Sequence, residues 1–412
     1  MSVILIATIV GLAAVFLGLT TVIVAGKAWR EAGEARDRTR RQFLEPRILA
    51  YAQAEDGSIR AALGRTPSAR DRRIVEAVLL DHAQRVRGAA FERMSRALDE
   101  LGFVERYRAA LRSARSWRRA WAAEQLGLAG ARRAVPDLAA ALRDPMIDVR
   151  MRAAKSLGLL GGAGSVRELI GALDEPNRWS SIRVADVLAG MGKGAVQEVI
   201  AAYPSLGAIG RLAALDVVGR ARPLAAVPWL LERLGDAAPD ARARAAHALG
   251  AIGDPRAVPA LETALRDSAW PVRAMAAKAL GRIGEPEAIP PLRRALRDPE
   301  WWVRSNAAHA LGALGEAGTT ALEEVLDSTD RYARSQAVVV LEERGVVDAR
   351  AGGLVSDHAA ERHVAAVFVR RLVAAGGTER LAELAADATD LALREQLRAH
   401  LAPAPTSVEG RS

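Results

Sequence analysis

Three stretches of this chain superimpose without a gap at a spacing of 31 residues. They read DARARAAHALGAIGDPRAVPALETALRD (240–267), WPVRAMAAKALGRIGEPEAIPPLRRALRD (270–298) and WVRSNAAHALGALGE (302–316). A fixed period of this length marks a repeat array, and it constrains the fold before any single residue is weighed. Each stretch encodes two short helices that cannot bury their apolar faces alone, so successive units must stack. Such stacks offer extended surfaces for binding more readily than enclosed sites for chemistry.

One arginine column carries the period outward: Arg119, Arg150, Arg211, Arg242, Arg273, Arg304 and Arg334, with Ser181 substituting once and Arg362 and Arg394 continuing it. Steps are 30 or 31 residues as far as Arg334 and then 28 and 32, a decay expected of a terminal unit that must meet water on one face. About ten units lie between 113 and 402. Within one unit, Ala276, Ala277, Ala279 and Leu280 form a buried stripe whose small side chains allow helices to approach closely. Gly281 and Gly284 end that helix, Pro286 follows, and Pro290 fits a first helical turn.

The core VR-x-x-A-A-x-A-L-G-x-x-G, seen at 149–161, 242–253, 272–284 and 303–315, resembles the HEAT repeat, specifically the short bacterial type similar to phycobilisome lyases. The resemblance implies an all-α, right-handed α-solenoid of about ten two-helix units. It does not imply lyase activity, since this repeat class occurs in many proteins that are not enzymes.

A second feature stands at the N-terminus. Val3 to Ala25 contains no charged residue, and 23 residues at about 1.5 Å each can cross a hydrocarbon core of roughly 30 Å. No Lys or Arg precedes the run, unlike a cleaved signal peptide. Lys27, Arg30, Arg36, Arg38, Arg40 and Arg41 follow it, and positive residues stay on the cytoplasmic side. The expectation is a single-pass anchor in a bacterial inner membrane, meeting the bilayer through residues 3–25, with its N-terminus outside and the solenoid in the cytoplasm. Ala7, Gly11, Ala14 and Gly18 form a stripe of small residues on which a second membrane helix, such as that of another copy, can pack.

The expected domains are therefore an anchor over 1–26, a basic juxtamembrane segment and helical cap over 27–112, the solenoid over 113–402 and a disordered tail over 403–412. In the cap, Ile74, Val75, Val78, Leu79, His82 and Val86 recur at helical spacing.

The net charge of +9 raises the question of a nucleic-acid partner. Residues 113–402 carry only +3 of it, with both signs interspersed, whereas a polyanion groove concentrates charge on one face. That distribution argues against nucleic acid. The chain has no cysteine, so it holds neither a disulfide framework nor a thiolate metal site. None of the six histidines precedes a glutamate, and His358 and His363 stand five apart, off one helical face, where a zinc pair needs four. No catalytic residue, cofactor or metal is expected.

Two residue sets remain as candidates. An Asp lies six residues before the arginine at Asp144/Arg150, Asp236/Arg242, Asp267/Arg273 and Asp298/Arg304, where it can cap the incoming helix and bond an arginine of its own or an adjacent unit. This reads as a structural ladder. Tryptophans crowd the same junctions: Trp117, Trp179 and Trp302 two residues before the column, Trp270 and Trp301 three before. Trp270, Trp301 and Trp302 are the candidate partner-binding ridge, since tryptophan is enriched in interface hot spots. The expected function is a membrane-anchored, non-enzymatic scaffold that positions a protein partner. A membrane-tethered polyanion binder and a phycobilin-lyase-type enzyme are the alternatives.

Overall fold

In the computed structural model the backbone is described for residues 2–402 except 55, 65–66 and 175–177, and side chains from residue 16 onward, with 178–180 also excepted. The expected tail over 403–412 and the Trp179 side chain lie outside the described residues. Among the described residues all regular structure is helical, and the chain forms two compact units, 1–169 and 170–412.

The first unit begins with a helix running from Ser2 to Gln53. Its last turns pack on the helix Ala69–Ala83, which starts at Ser68, whose hydroxyl accepts the Asp71 amide at 3.1 Å. Leu44 and Ile48 on one side and Val75, Val78 and Leu79 on the other are buried. Helices Ala89–Glu100 and Phe103–Ala110 close this layer over Met94, Leu98, Phe103 and Tyr107. The periodic pairs begin with Ser116–Leu128 and Val135–Ala141, followed by Ile147–Leu160.

The second unit contains the best-matched repeats. Its first helices are Arg178–Gly190, Ala208–Ala221, Pro239–Ile252, Trp270–Ile283, Trp301–Ala313, Arg331–Glu343, Ala359–Ala374 and Leu391–Leu401. Short second helices such as Val258–Ala264 and Ile289–Ala295 come between, each led in by a single 3₁₀ turn that starts at a proline. In Leu391–Leu401 only Leu397 is buried among the described residues.

The two glycines of each repeat do different work. Gly284 has φ of 89° and ends the helix in the left-handed conformation, as Gly253 does at 80°. Gly281 lies inside the helix instead. A Cβ there would come within 2.6 Å of both Cα and Cβ of Ala310 on the next first helix. Gly250 meets Ala279 in the same way, at 2.5 and 2.6 Å. The Gly281 position is thus a point of backbone approach between units, not a helix end.

The expected membrane span is corrected. Among the described residues no helix is long and apolar enough to cross a membrane, which overturns the placement in a bacterial inner membrane with the N-terminus outside and the solenoid in the cytoplasm. The helix that carries the apolar run does not end with it but continues through a charged stretch to Gln53. Ala7, Gly11 and Ala14 lie outside the described side chains. At Gly18 a Cβ would meet nothing within 4 Å among the described residues.

Candidate binding surface

The residues read as a basic membrane flank serve several local roles. Lys27 pairs with Glu31 one turn on, at 3.8 Å, and Arg36 Nε donates to the Ala32 carbonyl. Arg40 reaches the next helix, its Nε and Nη2 donating to the Asp71 carboxylate at 2.7 and 3.2 Å. Arg41 bonds Glu45 and Asp81, while Arg30 and Arg38 stay exposed. Asp71 is buried, and the Arg40 guanidinium, helped by Ser68, holds its carboxyl at about 2 despite that burial. Arg40 and Arg41 therefore fasten the long helix to its neighbour.

The arginine column forms a ladder whose rungs join neighbouring units. Arg119 Nε and Nη2 donate to Asp144 at 2.6 and 2.9 Å, Arg242 to Asp267 at 2.7 Å for both bonds, and Arg273 to Asp298 at 2.6 and 2.8 Å. Each pair is 25 residues apart in sequence. Within its own unit the arginine turns back instead: Nη1 of Arg150, Arg242, Arg273 and Arg304 donates to the carbonyl six residues earlier, at 2.7–2.9 Å. The Asp adds a cap, Oδ1 of Asp144, Asp236, Asp267 and Asp298 accepting the amide two residues on at 2.8–2.9 Å. The Arg119 bond holds Asp144, and the Arg242 bond Asp267, below the ordinary carboxylate range. At Asp298 burial pushes the carboxyl up, but the Arg273 bond and the Glu300 amide outweigh it. Arg211 stands outside the pattern, exposed and against the Tyr203 ring at 5.7 Å.

The tryptophans point outward. Trp270 is 41% exposed, Trp301 48% and Trp302 56%, and the last two rings meet edge to face with centroids 4.7 Å apart. Tyr332, 51% exposed, extends the row onto the following unit, its ring over the Arg304 guanidinium at 4.9 Å and over that of Arg331 at 4.6 Å. Sequence reasoning missed Tyr332, although it stands two residues before Arg334, as Trp302 stands before Arg304. Four large rings on three consecutive first helices make an exposed aromatic row, a kind of surface that marks interaction sites. A separate groove of about 620 Å³ runs past Ile209, Asp240, His247, Pro271 and Met275 on the three helices Ala208–Ala221, Pro239–Ile252 and Trp270–Ile283, of which only the last also carries a ring of the row. Burial, with Arg282 and Lys278 nearby, holds the His247 imidazole below its ordinary range. Among the described residues no group of three His, Asp or Glu side chains could hold a metal ion.

Comparison with known proteins bears on the fold. A family model described as HEAT repeats matches residues 104–189, 207–274 and 258–342, more than half of the chain. No curated protein matches it. Among solved structures, an engineered protein is similar over 87% of this chain and 98% of its own, at 20% identity and a TM-score of 0.31. Kap121p bound to Pho4p is similar over 87% of this chain at 12% identity and a TM-score of 0.44. This chain spans about half of that protein's length, 49%. The complex of CpcE and CpcF of phycocyanin lyase from Nostoc sp. PCC7120 is similar over 64% of this chain and 94% of its own, at 23% identity and a TM-score of 0.26.

Proposed function

The chain belongs to the HEAT-repeat family, and from that premise we propose that it is a non-catalytic binding module that docks a protein partner on the aromatic row of its second unit. The observation that carries the reading is the outward placement of Trp270, Trp301, Trp302 and Tyr332 on adjacent helices. The buried apolar side chains of the three helices that carry the row are Ala, Leu and Val, so these rings are not needed to fill the interior there. Large aromatics that stay rigid and half-exposed are suited to anchoring a partner, because they lose little conformational entropy when covered. Mixed charge across the repeats favours a protein partner over a polyanion. The resemblance to short repeats of the phycobilisome-lyase type, and the right-handed winding it implies, belong to this reading as well.

The test compares wild type with Trp302→Ala and Trp270→Ala in capture of proteins from an extract of the source cells, with a melting curve for each variant. Capture that falls at unchanged melting supports a docking surface. Capture that is equal in all three proteins removes it.

A further inference from the structure

The ladder changes character beneath the aromatic row. In the rungs described above, Asp144, Asp267 and Asp298 each do three things: accept two bonds from the arginine of the preceding unit, accept an amide two residues on, and give a backbone carbonyl to the next arginine. Ser328 occupies that position in the following unit. Its carbonyl accepts from Arg334 Nη1 at 2.5 Å and its hydroxyl accepts the Asp330 amide at 3.2 Å. Ser356 repeats the substitution, its carbonyl accepting from Arg362 Nη1 at 2.6 Å and its hydroxyl the His358 amide at 3.2 Å. Two successive rungs thus keep the backbone half of the arrangement and lack the carboxylate.

The arginines above those serines are left with an unused donor. Arg304 is only 8% exposed, and its Nε is buried with no hydrogen-bond partner among the described residues; the Nε of Arg334 is in the same condition. The acids near Ser328 are engaged elsewhere. Asp327 pairs with Arg371 at 2.9 Å, Asp330 caps its own helix through the Tyr332 amide at 2.9 Å, and Glu324 pairs with Arg293 at 2.7 Å. A buried, hydrogen-bonding cation without its partner is costly, so a carboxylate supplied from outside gains the bidentate geometry that Asp298 shows with Arg273.

A basic groove lies beside the Ser328 rung, though Arg304 and Arg334 themselves do not line it. Ser328 lines a groove of about 380 Å³ together with Arg293, Arg294 and Arg297, against the single acid Glu324. Trp301, Trp302 and Tyr332 lie on the helices that carry Arg304 and Arg334 or start beside them. Neighbouring helices pack roughly 8–10 Å apart, and a chain in the extended polyproline II form advances about 3.1 Å per residue and returns to the same face every third residue, so carboxylates three residues apart match two successive rungs.

Resting on the reading of the aromatic row as a docking surface, we propose that Arg304 and Arg334 receive acidic side chains, spaced about three residues apart, from an extended segment of the protein partner.

The probe is a fluorescein-labelled nine-residue peptide of Ala and Ser with Asp at every third position, titrated by anisotropy against the full chain. Its Asn and phosphoserine counterparts are titrated alongside. The Asp peptide should bind saturably and the Asn peptide at least tenfold more weakly. Ser328→Asp and Ser356→Asp, which restore an internal carboxylate, should each raise the melting temperature and weaken the Asp peptide at least tenfold. Equal binding of Asp and Asn peptides overturns the proposal, and so does phosphoserine binding without Asp binding, which makes the site a phosphate site. Asp-peptide binding that both Ser→Asp variants leave unchanged lies elsewhere and overturns it too. The docking reading fails separately, when capture from extract ignores Trp302→Ala, because that measurement uses no acidic peptide.

Discussion

Arg273 grips Asp298 of the following unit through Nε and Nη2 at 2.6 and 2.8 Å, while its Nη1 holds the Asp267 carbonyl of its own unit at 2.9 Å. One guanidinium thus closes the loop before its helix and ties that helix to the next. The bonds to Asp298 cannot form in an isolated unit, which is the physical content of a repeat stabilised by its neighbours.

Arg273→Ala removes all three bonds and leaves Asp298 nearly buried without its cation. The expected destabilisation is about 1–3 kcal/mol, read from urea unfolding followed by circular dichroism. Asp298→Asn should cost less than Arg273→Ala, and in the double variant the two losses should not add, because the residues act as one pair. Full additivity of the two changes contradicts the rung.

Gly281→Ala places a methyl group 2.6 Å from the Ala310 backbone, which must move. A loss of about 1–3 kcal/mol is expected for such overpacking. Ala310→Gly in the same chain should recover only part of it, since the Cα of residue 310 remains in the way. Gly284→Ala, whose new Cβ meets nothing, should lose only about 1 kcal/mol through its left-handed backbone.

Acid titration should expose the Arg40–Asp71 pair. The Asp71 carboxyl lies at about 2 when folded against an ordinary value of 3.8. A depressed carboxylate contributes stability that is complete above the unfolded value and is lost as pH falls toward the folded one. Wild type should therefore lose more stability than Asp71→Asn between about pH 4 and pH 2, and the two should run parallel above pH 5. Parallel curves through the acid range would remove this pair from the account.

Trp302→Ala should leave melting within about 0.5 kcal/mol of wild type, as expected for an exposed side chain outside the core. Partner capture should weaken by roughly 2 kcal/mol or more, the size of a hot spot. Trp301→Ala tests the pair, since the two rings lean on each other. A loss of about 3–5 kcal/mol in stability for any of these changes is the signature of a buried aromatic and contradicts the exposed placement.

The array itself was legible in the chain because its causes are local. The 31-residue period, the glycines at helix ends and the prolines of first turns all act within a few residues of backbone, so Gly284, Pro286 and Pro290 do what their neighbours require of them. The arginine column was legible too, since every unit solves the same junction. Which Asp each arginine grips was not, because one Asp stands six residues before it and another twenty-five after, and only stacking brings the second within reach of Nε and Nη2. Gly281 and Gly284 look alike in sequence, yet one faces the Ala310 backbone and the other turns the chain. The uncharged run after Val3 suggested a membrane helix, while the helix that holds it runs on through charged turns to dock by Arg40 on Asp71. Period and caps are decided by each residue and its chain neighbours; rung pairing, close approach and the exposure of Trp270, Trp301, Trp302 and Tyr332 are decided by what the next unit covers, and that is set only when the units stack.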